Sequence, residues 1–252
     1  MHTCESLATE IKNLGVSSGD TVLVHSSYKS LGKMEKGAET IVRALQQAVT
    51  YQGLLLMPSF NMVAEGNKKR RRSDTWDIEK SKSTVGWITE YFRQLPTTYR
   101  SNNYSHSIGA WGRDSIPFLC GHMSNRGPVS PWDRPPWGRT YGQDSPFYRA
   151  YEQSGKIMMI GDIPWASCTH IHFIETLYWN ILLESDESAP YPRLNKKTVG
   201  KLWMDLHKKG LLGQSMSLGK VGSANCKLFQ VSKFVDTILE SVKESPSHFL
   251  KI

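Results

Sequence analysis

The chain has 252 residues, of which 39% are hydrophobic and 21% are charged. This balance is typical of a globular protein and excludes a disordered chain. Lysine and arginine total 31 against 23 aspartates and glutamates, which gives a formal net charge of +8. A field of that sign favours phosphate-rich partners, among them a nucleotide-containing cofactor, a nucleotide-linked substrate and nucleic acid. No apolar run approaches the ~20 residues that span a membrane, so no membrane partner is expected.

The N-terminal residues and the cysteines both favour a reducing, cytoplasmic location. Residues 1–14 alternate polar and apolar side chains without a long apolar stretch, so we expect no secretory signal. The four cysteines lie far apart and form no C-x-x-C pair. This spacing disfavours a disulfide framework or a zinc ribbon, and no metal site is predicted.

The first elements predict an α/β fold. A helix is expected before the Gly- and Ser-rich turn at residues 15–20, because apolar side chains recur there every three to four residues. Short apolar runs at 21–25 and 54–57 predict buried strands, and a helix over 38–49 connects them. Strand, helix and strand in this order form a βαβ unit, so the central sheet is at least partly parallel.

The rest of the chain continues the same alternation without repeats or a clean linker, so a single domain over residues 1–252 is expected. Residues 128–146 combine Pro, Trp, Arg and Gly without periodicity and predict a long functional loop. Further elements are expected in chain order: a helix at 85–93, a buried strand at 156–160, and helices at 169–183 and 231–242.

Polar residues follow the predicted parallel strands, at the ends where ligands bind in α/β folds. His25, Ser26 and Ser27 follow the first strand, and Ser59, Phe60 and Asn61 follow the second. The loop from Ser26 to Lys36 offers hydroxyls, lysines and a helix N-terminus, which suits a pantetheine chain or phosphates. The alternatives are a solvated turn for this loop and a strand-capping role for His25.

His172 and Glu175 are the candidates for acid–base chemistry. They lie three residues apart on the helix expected from Thr169, so they share one face. An imidazole beside a carboxylate can act as a general base, with the carboxylate orienting the ring. A surface ion pair on a helix is the alternative. His170 and His172 point to nearly opposite sides of a helix, so they do not predict a metal site.

Other patterns carry weaker predictions. Residues 15–19 match G-x-S-x-G, but the helix-to-strand order is wrong for a serine hydrolase. Neither G-x-G-x-x-G nor a P-loop is present. The basic run Lys68–Arg72 predicts a solvated loop, with a phosphate clamp or a nucleic-acid patch as alternatives.

Ten short motifs follow one another along nearly the whole chain. They are Leu23–Gly32, Leu56–Phe60, Gly86–Arg93, Arg100-Ser101, His106-Ser107, Gly142–Pro146, Gly155–Gly161, Thr169–Glu175, Gly219–Gly222 and Ser245–Phe249. In this order they resemble the aminoglycoside 3-N-acetyltransferase family. The resemblance implies an acetyl-CoA-dependent N-acetyltransferase with a mixed α/β fold unlike that of the common GNAT acetyltransferases.

The resemblance also implies roles for particular residues. His172 becomes the base that takes a proton from the acceptor amine, and Glu175 its partner, with no covalent enzyme intermediate required. The residues placed around pantetheine are His25, Ser26, Ser27, Ser30, Gly32 and Lys33. Those placed near the thioester are Ser105, His106 and Ser107. Those facing the acceptor are Ser59, Phe60 and Asn61, together with the loop at 128–140.

Charge bears on the choice of acceptor. Aminoglycosides carry several positive charges, and a chain with a net charge of +8 is an unusual host for them. The sequence therefore favours a neutral or anionic acceptor, and a nucleotide-linked amino sugar of surface-polysaccharide synthesis fits best. An aminoglycoside is the alternative acceptor. A basic nucleic-acid-binding module is the alternative of another class, and it would show steeply salt-dependent binding.

Overall fold

One mixed sheet of seven strands organises the residues that the computed structural model describes, 1–63 and 71–251. The strands are β1 (Thr21–Ser26), β2 (Leu54–Pro58), β3 (Tyr99–Arg100), β4 (Ile108–Trp111), β5 (Lys156–Ile160), β6 (Met216–Val221) and β7 (Ala224–Gln230). Their order across the sheet is β3-β4-β2-β1-β5-β7-β6. The central strands β2, β1 and β5 are parallel, and each strand outside them is antiparallel to its inner neighbour. The predicted α/β fold with a partly parallel sheet is confirmed.

Helices cover both faces of this sheet. In chain order they are α1 (Cys4–Leu14), α2 (Ala38–Val49), α3 (Trp87–Arg93), α4 (Ser115–Leu119), α5 (Pro146–Glu152), α6 (His170–Ser185), α7 (Lys196–Lys208), α8 (Val231–Glu244) and α9 (Pro246–Phe249). None of the helices in the described ranges is long and apolar enough to cross a membrane.

Alternation along the strands divides the apolar side chains into two cores. In β1, Val22 and Val24 face the core formed with α1 and α2, and Leu23 faces the core formed with α6 and α8. β5 follows the same rule, with Met158 on the first side and Ile157 on the other. Successive side chains of a strand point to opposite faces, so strands buried on both faces are continuously apolar.

The predicted βαβ unit is confirmed, since β1 and β2 pair in parallel on either side of α2 in the chain. The predicted helix at 85–93 begins later, at Trp87, and the helix from Thr169 extends to Ser185. Helix α7 begins inside residues 188–197, a segment that its proline and lysines predict to be a connector. The Asn195 side chain caps α7 by accepting hydrogen bonds from the backbone N–H groups of Lys197 and Thr198.

Candidate active site

A cavity of about 360 Å³ lies at the carboxyl ends of β1 and β2 and beside the first turn of α6. This is the edge of a parallel sheet where ligands are expected. The structure brings together there five of the residues that the sequence singled out. The polar and aromatic side chains of the cavity wall include His25, Ser26, Phe60, His106, Thr169 and His172.

His172 and Glu175 form a hydrogen-bonded pair inside this site. The imidazole Nδ1 lies 2.6 Å from the carboxylate Oε2. An ionised carboxylate only accepts hydrogen bonds, so Nδ1 carries the proton and Nε2 holds a free lone pair. Glu175 is completely buried and the His172 side chain is 18% exposed. The alternative of a surface ion pair is therefore wrong, because the carboxylate has no contact with solvent.

The Glu175 carboxylate is held in place by the segment that precedes α7. Its Oε1 accepts a hydrogen bond of 2.8 Å from the backbone N–H of Leu194. Its Oε2 lies 3.4 Å from the hydroxyl of Tyr191 and 4.0 Å from the guanidinium of Arg193. Burial and the neighbouring Glu175 raise the pKa of Tyr191, so its hydroxyl stays protonated and donates. These contacts fix the carboxylate and, through it, the orientation of His172.

A lysine faces the free nitrogen of His172. The Lys196 ammonium lies 3.4 Å from Nε2 and donates toward it. The sequence did not predict this residue as part of the site, because 24 positions separate it from His172 and no periodic pattern links the two. Lys196 is half-buried at the start of α7. Its side chain therefore lies directly at the free nitrogen of the imidazole.

Aromatic rings surround the imidazole of His172. The Trp132 ring centroid lies 5.1 Å from that of His172 and 5.0 Å from that of His106. His106 also packs 5.0 Å from Phe60, and its Nδ1 lies 2.8 Å from the Ser105 hydroxyl. Trp132 belongs to the predicted functional loop, which thus reaches the site. Composition alone does not show which tryptophan of this loop approaches His172.

A model of the aminoglycoside 3-N-acetyltransferase family matches residues 23–243. The chain belongs to this family. Membership makes it an N-acetyltransferase that takes acetyl-CoA as its acetyl donor, as the motifs imply.

Relatives and solved structures agree with this assignment. The SPbeta prophage-derived aminoglycoside N(3')-acetyltransferase-like protein YokD of Bacillus subtilis is 29% identical, over 93% of this chain and 90% of the relative. Aminoglycoside N(3)-acetyltransferase III of Serratia marcescens is 27% identical, over 70% of this chain and 65% of that enzyme. The crystal structure of the AAC(3)-IVa apoenzyme has the same fold, with a TM-score of 0.76 at 22% identity, covering 99% of this chain and 92% of that one.

The remaining residues implied by the family motifs lie near the cavity but outside its described lining. Among the expected pantetheine contacts, the Ser27 N–H donates to the Ile160 carbonyl, the Ser30 hydroxyl donates to the Ser27 carbonyl, and the Lys33 carbonyl accepts from the His2 N–H. Gly32 has a positive φ of 81°, and a Cβ atom at this position would collide with the Ser223 side chain. These contacts shape the loop after β1, and a role in binding the donor stays a prediction.

The other residues expected to contact the thioester and the acceptor lie behind the cavity wall. Ser59 and Ser107 are buried, with hydroxyls that have no hydrogen-bond partner among the described residues. The Ser59 N–H donates to the Ser107 carbonyl. Asn61 is buried and accepts a hydrogen bond at Oδ1 from the Val63 N–H. Ser105 reaches the cavity only through its contact with His106.

Cys168 precedes the cavity residue Thr169 in the chain. Burial raises the pKa of the Cys168 thiol to about 12, so this cysteine is not an activated nucleophile. Within residues 1–63 and 71–251, His, Cys, Asp and Glu form no group that could hold a metal ion. Of the basic run Lys68–Arg72, residues 68–70 lie outside the described part of the chain. Arg72 is described, and its guanidinium donates to the Asn61 carbonyl at 3.2 Å.

Four buried histidines next to the site are held neutral. Burial lowers the pKa of His25 to about 3, with a further contribution from His170, and lowers those of His122 and His170 to about 4. Burial, followed by the nearby His172, lowers the pKa of His106 well below its usual value. His122 is anchored by donating to the Thr140 carbonyl at 3.0 Å.

These histidines predict a loss of stability at mildly acidic pH. Their folded pKa values lie below that of a histidine in the unfolded chain, about 6.5. Between pH 6.5 and about 4 the unfolded chain binds more protons, so the free energy of unfolding decreases as the pH falls through this window. Each group contributes up to about 1.4 kcal/mol per pH unit. Urea unfolding at pH 7 and pH 5 measures the effect.

Replacing one buried histidine separates its contribution to the pH dependence of stability from the contribution of the carboxylates. His122→Gln should be less stable at pH 7 but should lose less stability between pH 7 and pH 5 than the unchanged chain. The same replacement at the exposed His248 should leave the pH dependence unaltered. An identical pH dependence in His122→Gln would show that the buried ring does not titrate on unfolding.

Proposed function

We propose that this N-acetyltransferase acetylates the amino group of an amino-sugar acceptor that also carries a negative charge, with His172 as the general base. A nucleotide-linked amino sugar is the acceptor class that fits best. The observation that carries the proposal is a set of cationic side chains beside His172 and the aromatic residues packed near it, here called the cationic rim. Its members are Arg72, Arg134, Arg193 and Lys196.

Contacts to the site residues support the position of the rim. Lys196 lies 3.4 Å from Nε2 of His172. The Arg193 guanidinium lies over the rings of Trp132 and Tyr191, at 5.7 and 5.0 Å from their centroids. Trp132 in turn contacts His172. Arg193 is therefore one aromatic ring away from the base, and its side chain is 52% exposed, so it is available to a ligand.

The other two arginines lie around Tyr104, whose hydroxyl donates to the Trp132 carbonyl at 2.6 Å. The Arg72 guanidinium carbon lies 6.0 Å from the centre of the Tyr104 ring. Arg134 lies close enough to the Tyr104 hydroxyl to oppose the rise in the tyrosine pKa that burial causes. Arg72 and Lys196 also both help to lower the pKa of His106, which supports their position around the same site.

Among the described residues, nearby carboxylates offset this charge only in part. Glu175 lies 4.0 Å from the Arg193 guanidinium. Glu175 is buried behind His172 and already accepts hydrogen bonds from His172 and Leu194. Asp133 accepts from the Thr140 N–H at 2.8 Å and lies 3.2 Å from the Arg139 guanidinium. Phosphates bind well to clustered arginines, whereas a polycation would meet repulsion from them.

The residues at the site fit the chemistry of acetyl transfer. Acetyl-CoA, when bound, supplies an activated acetyl thioester. The cavity wall suits its pantetheine chain, because apolar Val24, Phe60 and Ile163 alternate with the hydroxyl-bearing Ser26 and Ser167. His172 accepts a proton from the acceptor amine at Nε2, and Glu175 stabilises the imidazolium that results.

Acetylation of an aminoglycoside is the second candidate function. It is favoured by the relatives named as aminoglycoside N(3)-acetyltransferases, among them the Serratia marcescens enzyme. The two candidates share the base and the donor, and they differ only in the charge of the acceptor.

Loss of the imidazole should abolish most of the activity. His172→Ala should lower kcat by roughly a hundred- to ten-thousand-fold, because a positioned general base contributes about that much. Acetyl-CoA affinity, measured by calorimetry, should change little. Thiol release in the presence of an accepted amine gives the rate. Turnover close to that of the unchanged enzyme would remove His172 from the role of base.

The charge of the acceptor can be tested directly. A nucleotide-linked amino sugar should be acetylated with a kcat/KM at least about tenfold higher than the same amino sugar without the nucleotide, because a charge-assisted hydrogen bond contributes about 1.5–3 kcal/mol. Kanamycin-type aminoglycosides should be acetylated with a lower kcat/KM than either of these sugars. Thiol release at matched acceptor concentrations provides the comparison. A preference for the aminoglycoside would overturn the proposed acceptor class and leave the acetyl transfer intact.

A variant of the rim sharpens the test. Arg193→Gln should raise KM for the nucleotide-linked sugar by about tenfold and leave KM for the uncharged sugar nearly unchanged. Arg113, an exposed arginine whose one described ion pair is with Asp114, provides the matched control through Arg113→Gln. Equal effects of the two variants on the charged acceptor would contradict a role of the rim.

A further inference from the structure

The chain holds an amine of its own at the nitrogen where the acceptor amine must bind. Lys196 is the first residue of α7, and its backbone is fixed because Asn195 caps the helix and Leu194 donates to Glu175. This anchoring directs the Lys196 side chain into the site, where its Nζ lies 3.4 Å from Nε2 of His172. Lys197, the next residue, is exposed and has no such contact.

We propose that Lys196 is a self-acetylation site, which takes the acetyl group of bound acetyl-CoA when no acceptor occupies the cavity. The inference rests on the proposed function at one point, the role of His172 as the base. It adds a substrate that the chain itself provides. The cavity that fits the donor and the lysine meet at the same imidazole, since His172 forms part of the cavity wall and accepts from Nζ.

The surroundings of Lys196 favour the reactive form of its amine. Burial lowers its pKa, and the neighbouring charges of Lys251 and Arg193 lower it further, against the opposing effect of Glu175. A larger fraction of this lysine is therefore uncharged at neutral pH than of an ordinary surface lysine. An uncharged amine next to a base is the group that attacks a thioester.

The transfer balances without any further reactant. The Lys196 ammonium first releases one proton to solvent through His172. The nitrogen lone pair then forms a bond to the acetyl carbonyl carbon, the bond between that carbon and sulfur breaks, and its electron pair leaves with the thiolate of coenzyme A. The second proton on the nitrogen passes to Nε2 of His172 and from there to the thiolate or to solvent. The products are N-acetyl-lysine and free coenzyme A.

Acetylation would stop the enzyme for two physical reasons. The lysine loses its positive charge, so the cationic rim attracts an anionic acceptor less strongly. The added acetamide also fills the space next to Nε2, which blocks the approach of another amine. An acceptor already bound at the site should protect Lys196 by competing for both the base and the donor.

The experiment follows the modification of the full-length enzyme with acetyl-CoA alone. Intact-mass and peptide mass spectrometry over time should show one added acetyl group, on Lys196, at a rate at least about a hundredfold above that of Lys197. His172→Ala and His172→Asn, the second chosen to retain a hydrogen bond to Glu175, should both reduce this rate to that of Lys197. A saturating accepted amine should slow it, and activity should decline in step with the modification.

Two outcomes would overturn the inference alone. One is a freshly prepared enzyme that acetylates its acceptor while Lys196 is modified no faster than Lys197, which would leave the proposed function standing. The other is rapid modification of Lys196 that persists in both His172 variants, which would make it a simple chemical reaction. An enzyme that transfers acetyl to neither amine would overturn the role of the base and the inference together. Lys197→Arg serves as the control and should leave the rate of Lys196 modification unchanged.

Discussion

The hydrogen bond between His172 and Glu175 is the interaction on which the rest of the site depends. A fully buried carboxylate is costly, by several kcal/mol, unless its oxygens are bound. One helical turn brings the imidazole to Oε2, and the backbone N–H of Leu194 satisfies Oε1. The same carboxylate thus orients the imidazole and holds the chain that leads into α7. Its hydrogen bond to Nδ1 leaves Nε2 free, and the proposed function places the acceptor amine at this nitrogen.

The sheet explains why these groups meet at one place. β1 lies between β2 and β5, and the three are parallel, so their carboxyl ends open on the same edge. α6 begins shortly after β5, and the Thr169 hydroxyl at its start lies 3.4 Å from Nε2 of His25 at the end of β1. The first turn of α6 is thereby held against the end of the central strand. The cavity proposed for the donor is the space that this arrangement leaves beside β2.

Local patterns explain what the sequence predicts well. β1, β2, β5 and α6 are recognised because their apolar runs and periodicities are contained within a few residues. The contact between His172 and Glu175 follows from helical spacing alone. The sequence does not predict β6, because its central residues are exposed and leave no apolar run. It does not predict β3, because this strand has only two residues. Lys196 and Trp132 were missed for another reason, since their contacts with His172 depend on how distant segments return to α6.

The net charge follows from composition, but the positions of the charges come only from the structure. A formal charge of +8 says that the chain attracts anions but not where it does so. The structure locates four of these charges near His172 and the aromatic residues beside it, and one of them, Lys196, contacts the imidazole. Under the proposed function, an acceptor with a negative group would draw Lys196 away from Nε2 into an ion pair, which would free the imidazole for the acceptor's own amine. A polycation would give the lysine no such partner and would leave it at Nε2. On this arrangement, one lysine links the choice of acceptor to the availability of the base, and it is itself the amine left beside His172 when no acceptor is bound.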